Sequence, residues 1–268
     1  MDLELATAFV SEFGDAMQIA RLAYVLHNTR VTIEVLSDLL KYQQSDGSFA
    51  LPLPAGPVSS INETLNGLWR MEELGMMRSV AAELACRYLV SRQGKDGSWQ
   101  EDPDNPTPMQ SYMQDPLFGC YLSAYAAYWL AFSGYGSTAV LKKAAGYLAG
   151  IQEPAGNFAG FLHTTWLASS ALFLINGTRD RRAKMGLKFL QGRPWEDWEP
   201  SQIAWALSCF GNARLSRKHL FITSGLDTLE DRQMDDGSWA SEDGEGFEVE
   251  ATIAAVKAWK FFHKEKTA

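Results

Sequence analysis

The chain has 268 residues, a formal net charge of −8 and an isoelectric point near 5.1. An acidic surface repels phosphate backbones, so we expect no nucleic-acid partner. The three cysteines, Cys86, Cys120 and Cys209, are widely separated in the sequence. This excludes a disulfide scaffold and favours a reducing cytoplasm. The acidic start of the chain does not resemble a secretory signal, and the longest apolar stretch is too short to cross a bilayer, so we expect no transmembrane segment.

One motif recurs along the chain: a glutamine followed six residues later by an aromatic residue, with a glycine between them. Each copy lies between an amphipathic segment of helical period and a more apolar segment rich in small residues. The Asp-Gly-Ser and Pro-Ala-Gly elements inside the copies favour turns. The repeat therefore predicts an array of helix pairs. The copies join Gln43 to Phe49, Gln93 to Trp99, Gln152 to Phe158 and Gln233 to Trp239, and a degenerate copy starts at Gln191.

Two series of helices are predicted to alternate along the chain. The outer helices are expected near residues 33–43, 79–92, 138–151, 180–190 and 217–232, with 2–10 as a sixth. The inner helices are expected near residues 13–27, 58–74, 117–133, 161–176, 200–211 and 247–262. Six inner helices are enough to close a ring, so the predicted fold is all-α, a single α/α toroid or (α/α)6 barrel that spans residues 1–268 as one domain. The alternative is an open helical solenoid.

The motif copies closely resemble the QW repeats of squalene cyclases and related class II terpenoid cyclases, and the similar repeats of protein prenyltransferase β subunits. The resemblance covers nearly the whole chain and implies the toroid fold. It leaves the function open, because toroids of this kind also serve as non-catalytic binding domains. Prenyltransferase β subunits work with a helical partner, so a partner subunit or a homo-oligomer stays an open alternative.

A zinc site is implied by the resemblance to prenyltransferases. Their Asp-Gly-Cys-Tyr stretch resembles Phe118-Gly119-Cys120-Tyr121, and their histidine-bearing stretch resembles the residues around His163. Cys120 and His163 are therefore the candidate metal ligands. Phe118 stands in place of the carboxylate ligand, which leaves two protein ligands where a catalytic zinc needs about three. We expect no cofactor, with zinc as the alternative.

An acid site is implied by the resemblance to class II cyclases, which protonate an alkene with the central Asp of an Asp-x-Asp-Asp-Thr motif. The nearest match is Glu248-Val249-Glu250-Ala251-Thr252. Glu250 is then the candidate proton donor, Glu248 its neighbour, and Asp115 a further acid at the same rim of the barrel. The alternative for Glu250 is structural, because acids stabilise the amino-terminal ends of helices. The related Asn62-Glu63-Thr64 in the first repeat favours that alternative.

Aromatic residues on the inner helices are expected to line a cavity. Ring faces stabilise cations, which suits carbocation chemistry, although aromatic residues at helical spacing also build an ordinary core. A proline-rich stretch, residues 101–116, is long enough to form a lid over such a cavity. The candidate substrate-binding residues are Tyr121, Tyr125, Trp166, Trp69 and Trp205.

The sequence leaves three possible functions open. The leading one is a cytoplasmic, terpene-cyclase-like protein that holds an isoprenoid or other apolar ligand in the barrel and catalyses an acid-initiated cyclisation or isomerisation. The second is a non-catalytic toroid that binds a lipid or a partner protein. The third is a zinc-dependent protein that resembles a prenyltransferase β subunit.

Overall fold

The computed structural model describes residues 1–51, 58–102 and 115–263. Within these ranges the chain is built from twelve α-helices and one two-stranded sheet. The helices are α1 (Leu3–Phe13), α2 (Ala16–His27), α3 (Ile33–Leu40), α4 (Ile61–Glu73), α5 (Val80–Ser91), α6 (Phe118–Ser133), α7 (Thr138–Gly150), α8 (Leu162–Asn176), α9 (Arg181–Gln191), α10 (Pro200–Asn212), α11 (Leu220–Asp231) and α12 (Glu248–His263). The even-numbered helices correspond to the predicted inner series and the odd-numbered ones to the outer series.

Half or more of the residues of α4, α6, α8, α10 and α12 are buried, whereas α2 buries only Arg21, Leu22 and Leu26. In α8 every residue from Thr164 to Phe173 is buried. A helix that is apolar and buried all round has to be enclosed by other helices, whereas α9 buries only one side, through Ala183, Leu187 and Leu190 among others. The predicted fold class, an all-α toroid of helix pairs, is thereby confirmed.

Two details of the sequence prediction need correction. The first inner helix begins at Ala16 and not near residue 13, because Asp15 forms a capping box with Gln18 (2.8 Å in each direction). A short antiparallel pair that the sequence did not predict joins β1 (Phe49–Leu51) to β2 (Val58–Ser60). These strands have three residues each, too few for an alternating pattern to stand out. Most of the predicted lid, 103–114 of residues 101–116, lies outside the described residues.

The chain divides into two compact units, residues 1–35 with 191–268, and residues 36–190. In the first unit α12 packs against α10, α2, α1 and α11. In the second unit α6 packs against α8, α4, α7 and α5. None of the helices in the described part of the chain has the length and apolar character that a membrane crossing requires.

In each of the four complete copies of the motif, the glutamine side chain joins its own turn to another odd-numbered helix. The side-chain Nε2 donates one hydrogen bond to the carbonyl of the glycine four residues later, and a second to a carbonyl at the start of that helix. The last copy reaches α1, so the chain near residue 233 is joined to the chain near residue 2. The acceptors are Gly47 and Ala81 for Gln43 (3.1 and 2.8 Å), Gly97 and Val140 for Gln93 (3.3 and 3.0 Å), Gly156 and Arg182 for Gln152 (3.0 and 2.9 Å), and Gly237 and Asp2 for Gln233 (3.1 and 2.7 Å).

The aromatic residue of each copy ties the turn to the even-numbered helix that follows. Its backbone N–H donates to a Ser or Thr hydroxyl in the first half of that helix, while its side chain is buried. Thr252, the last residue of the acid motif, is one of these acceptors. The four pairs are Phe49 with Thr64 (2.9 Å), Trp99 with Ser123 (2.8 Å), Phe158 with Thr165 (3.1 Å) and Trp239 with Thr252 (3.3 Å).

Glycine is required at this position of the motif for two reasons, backbone conformation and lack of space, as Gly97 shows. Its φ is +94°, and a Cβ added there would lie 2.3 Å from the carbonyl oxygen of Lys143 in α7. We expect Gly97→Ala to lower the free energy of unfolding by more than about 2 kcal/mol, because left-handed backbone and a backbone clash both oppose it. Urea denaturation followed by far-ultraviolet circular dichroism measures this change.

The matched control is Gly146, in the exposed middle of α7, where an added Cβ would meet no atom within 4 Å. Gly146→Ala is expected to raise the free energy of unfolding by about 0.5–1 kcal/mol through helix propensity. Equal effects of the two substitutions would contradict the close-approach role of Gly97.

Candidate functional site

Glu250 is held in an ion pair with a buried arginine. Arg21 of α2 is 1% exposed, and its Nη1 donates to Glu250 Oε1 at 2.7 Å while its Nη2 lies 2.6 Å from Oε2. Gln18 Nε2 also donates to Oε1, at 3.3 Å. A buried guanidinium needs a paired anion, which Glu250 supplies. Glu250 therefore fixes α12 against α2.

Glu248 lies on a different side of α12 from Glu250. Residues two apart on an α-helix are separated by about 200°. Glu248 accepts a hydrogen bond from the Gly246 backbone N–H (2.8 Å) and lines a surface pocket together with Phe9 and Phe13 of α1. The structure thus does not bring these two carboxylates together as a pair that shares a proton.

Asp115 is exposed and stands just before α6. Its Oδ1 accepts a hydrogen bond from the Leu117 backbone N–H at 2.7 Å, and its carbonyl accepts one from Phe118 at 2.9 Å. Both contacts belong to the turn that starts the helix. The side chain of Asp115 therefore has a local structural role at this position.

Three of the five candidate substrate-binding residues come together in what we call the aromatic wall, formed by Tyr121, Tyr125, His163 and Trp166 on α6 and α8. The ring centroids of Tyr121 and Tyr125 are 5.7 Å apart, those of Tyr121 and His163 are 6.3 Å apart, and those of His163 and Trp166 are 4.5 Å apart. Tyr125 and Trp166 are 1% and 0% exposed. The half-buried rings of Tyr121 and His163 are the accessible part of the wall.

The other two candidates lie on separate helices. Trp69 of α4 is half-buried and donates its indole N–H to the buried carboxylate of Glu73 at 2.7 Å. Trp205 is half-buried on α10, in the first unit. Their indole rings have both a polar edge and an apolar face.

The proposed zinc ligands have other partners. Cys120 Sγ lies 3.6 Å from the hydroxyl of Tyr147. Burial, and then the contact with Cys120, raise the pKa of Tyr147 to about 12. His163 packs its ring on Trp166. Among the residues that the structure describes, no group of three or more His, Cys, Asp and Glu side chains is placed to hold a metal ion, so the zinc pair stays a prediction.

A second acid position, which the sequence marked only as a repeat-wide feature, is Glu63 in the first turn of α4. Burial raises the pKa of the Glu63 carboxyl, against the opposing influence of the Arg70 charge and of weak hydrogen bonds from two amides. Asn62 Nδ2 and Asn66 Nδ2 lie 3.3 and 3.4 Å from its Oε1. A carboxyl group that is desolvated without a close cation keeps its proton to higher pH.

Glu101 supplies the contrasting environment beside Glu63. Its Oε1 accepts from the Ser60 hydroxyl and the Asn62 N–H at 2.8 Å each, and its Oε2 accepts from the Ile61 N–H at 3.0 Å. Two of these donors are backbone amides at the start of α4, which have no acceptor within the helix. The charge of Glu101 adds to the upward shift in the pKa of Glu63. The two carboxyl groups therefore have different hydrogen-bond partners.

The comparisons with known proteins support the fold. No family model matches the sequence, and no curated protein matches it significantly. A variant of the type II terpene cyclase MstE from Scytonema, in complex with geranylgeranyl dihydroxybenzoate as substrate, aligns with a TM-score of 0.64 and 14% identity over 97% of this chain and 96% of that one. A variant of the same enzyme with merosterolic acid A as product gives 0.61 and 14% over 97% and 95%. A protein from Actinoplanes gives 0.62 and 17% over 97% and 98%. At identities this low, the TM-scores establish a shared fold and nothing further.

The Arg21–Glu250 pair generates a prediction about stability. Glu250→Gln leaves the buried guanidinium without its counter-charge, so we expect the free energy of unfolding to fall by about 3 kcal/mol. Urea denaturation measures it, with Glu248→Gln as the matched control, since that side chain is partly exposed and its loss is expected to change stability by less than about 1 kcal/mol.

The double variant Arg21→Met with Glu250→Leu separates charge from packing. Replacement of both members by apolar side chains of similar size is expected to recover most of the lost stability, since a buried ion pair is often equalled by apolar packing. A double variant no more stable than Glu250→Gln would show that the contacts of Glu250 other than the ion pair dominate.

Proposed function

We propose that this chain is a terpene-cyclase-like protein that binds an isoprenoid chain against the aromatic wall and isomerises or cyclises it by acid initiation. The observation that carries the proposal is the combination of half-buried aromatic rings with a desolvated carboxyl group on the neighbouring helix α4, in a chain that has the fold of the type II terpene cyclases. Ring faces attract cations and apolar chains alike, which suits both the substrate and a carbocation.

Glu63 is the acid that its surroundings favour. A general acid has to hold a proton at the working pH, and the burial that raises the pKa of Glu63 favours that condition. Glu250, by contrast, is already engaged in an ion pair with the buried Arg21 guanidinium. The assignment of the proton to Glu250, assisted by Glu248 and Asp115, stays a prediction from the sequence, and the experiment below compares it with Glu63.

The proposed reaction starts with protonation of an alkene and proceeds through a carbocation. The Glu63 carboxyl gives its proton to one carbon of an alkene, and the electron pair of the double bond forms the new C–H bond. The neighbouring carbon becomes a cation, which the π faces of Tyr121 and His163 stabilise. Attack by the next double bond closes a ring, and loss of a proton to the Glu63 carboxylate or to water ends the sequence.

The test is incubation with geranylgeranyl dihydroxybenzoate, followed by chromatography and proton NMR for loss of olefinic signals. Glu63→Gln keeps the shape but has no acidic proton, so the rate is expected to fall by about 100-fold or more. Glu250→Gln, assayed at a temperature where it is folded, is expected to retain most of the activity. The reverse result would restore Glu250 as the proton donor.

The pH dependence gives an independent check. Because the protonated form of Glu63 is the active one and burial raises its pKa, activity is expected to be full at low pH and to decline as pH rises through that pKa. Glu101→Gln removes a charge that raises the pKa of Glu63, so the falling limb of the profile is expected at lower pH. An unchanged profile in Glu101→Gln would argue against Glu63.

A second candidate function is non-catalytic binding of an isoprenoid lipid. It is favoured by the structural contacts of Glu250 and Asp115. Native mass spectrometry of the purified protein separates the two functions: a bound isoprenoid that is released chemically unchanged, together with inactivity toward the test substrate, supports the binding function. Stoichiometric zinc in the same spectrum would support the prenyltransferase-like function instead.

A further inference from the structure

A pocket of about 440 Å³ opens in the first unit, beside the first turn of α12 and against α1. Its volume falls within the range of small-molecule sites in proteins. Because all of its walls belong to one compact unit, the pocket does not depend on the aromatic wall of the other unit. Its lining residues are Phe9, Phe13, Met234, Asp236, Ser238, Gly246, Glu248 and Val249.

The charged residues that line this pocket are both acidic. Asp236 Oδ1 accepts hydrogen bonds from the Ser238 hydroxyl (2.6 Å) and backbone N–H (3.0 Å), which hold the pKa of Asp236 below its usual value. Glu248 Oε2 accepts from the Gly246 N–H at 2.8 Å. In each of these two side chains, one carboxylate oxygen accepts the hydrogen bonds described, which orients the group. The pocket is therefore lined by two oriented acidic side chains.

Apolar surface faces these charges from α1 and from the turn. The Phe9 and Phe13 rings are 4.9 Å apart with an interplanar angle of 42°, and Phe13 is 61% exposed. Met234 is 41% exposed and also lines the pocket. A ring face beside a carboxylate attracts an organic cation through both its quadrupole and its apolar area. An inorganic cation would leave that apolar area in water.

The amides at the start of α12 do not turn the pocket into an anion site. Free N–H groups at a helix start favour negative charge. Here Glu248, in the first turn of α12, already supplies that charge, and the Gly246 N–H just before the helix is bonded to its side chain. The net charge that a ligand meets is therefore negative.

We propose that this pocket binds an organic monocation, an ammonium group attached to an aromatic or alkyl body. The ammonium lies between Asp236 and Glu248, and the apolar body lies on the Phe13 ring. This binding site is separate from the aromatic wall, and the proposal does not depend on the proposed isoprenoid chemistry.

The test is a titration of the full, uniformly ¹⁵N-labelled chain with phenethylammonium, followed by two-dimensional amide NMR. We expect saturable shifts of the Gly246, Ser238 and Val249 amides, and a weaker apparent affinity when salt is raised. The neutral analogue 2-phenylethanol has the same body without the charge, and is expected to bind at least about fivefold more weakly. Equal binding of the two probes, or the absence of saturable shifts, would overturn the proposal.

Two variants and one matched control locate the site. Glu248→Gln and Phe13→Ala each remove one of the attractive groups, and each is expected to weaken phenethylammonium binding by about threefold to tenfold. Glu245→Gln removes an exposed acid that lies three residues before α12 and does not line the pocket, and is expected to leave the affinity within about twofold. Equal losses in Glu245→Gln and Glu248→Gln would show diffuse attraction to the acidic surface, and the proposal would be wrong.

Discussion

The rest of the fold depends on one contact, the glutamine side chain that donates to two backbone carbonyls at once. One carbonyl belongs to its own turn and the other to the start of another odd-numbered helix, so the amide fixes the angle between them. The close approach leaves no space for a side chain at the motif glycine, as at Gly97 against Lys143. The same residue type makes this pair of contacts in four places along the chain.

The motif also sets where the candidate chemical groups lie. The aromatic residue that follows each glycine bonds a hydroxyl near the start of an even-numbered helix. In the second copy, the chain continues from Trp99 to Glu101, whose carboxylate reaches the first amides of α4. Glu63 is in that same helical turn. A structural repeat thus places two carboxyl groups close together in different surroundings.

The acids of this chain separate into two groups by what surrounds them. Glu250 faces a buried guanidinium and Asp115 bonds the turn before α6, so both have structural partners. Glu63 lies 3.3 and 3.4 Å from two amides, and burial raises its pKa more strongly than the Arg70 charge lowers it. The position that matches a cyclase motif best in sequence is therefore different from the position where the surroundings favour a held proton. Motif spacing alone is a weak guide to which carboxylate is the acid.

The sequence by itself determined the repeat, the two alternating helix series and most helix limits, because helical period, turn residues and motif spacing are local properties of the chain. It also selected Tyr121, Tyr125 and Trp166, which share one aromatic wall. Only the tertiary structure decided that Arg21, 229 residues away from Glu250, is its partner, that Glu248 faces another side of α12, and that Glu63 is desolvated. Charge pairing and burial depend on segments far apart in the sequence, and no local pattern records them.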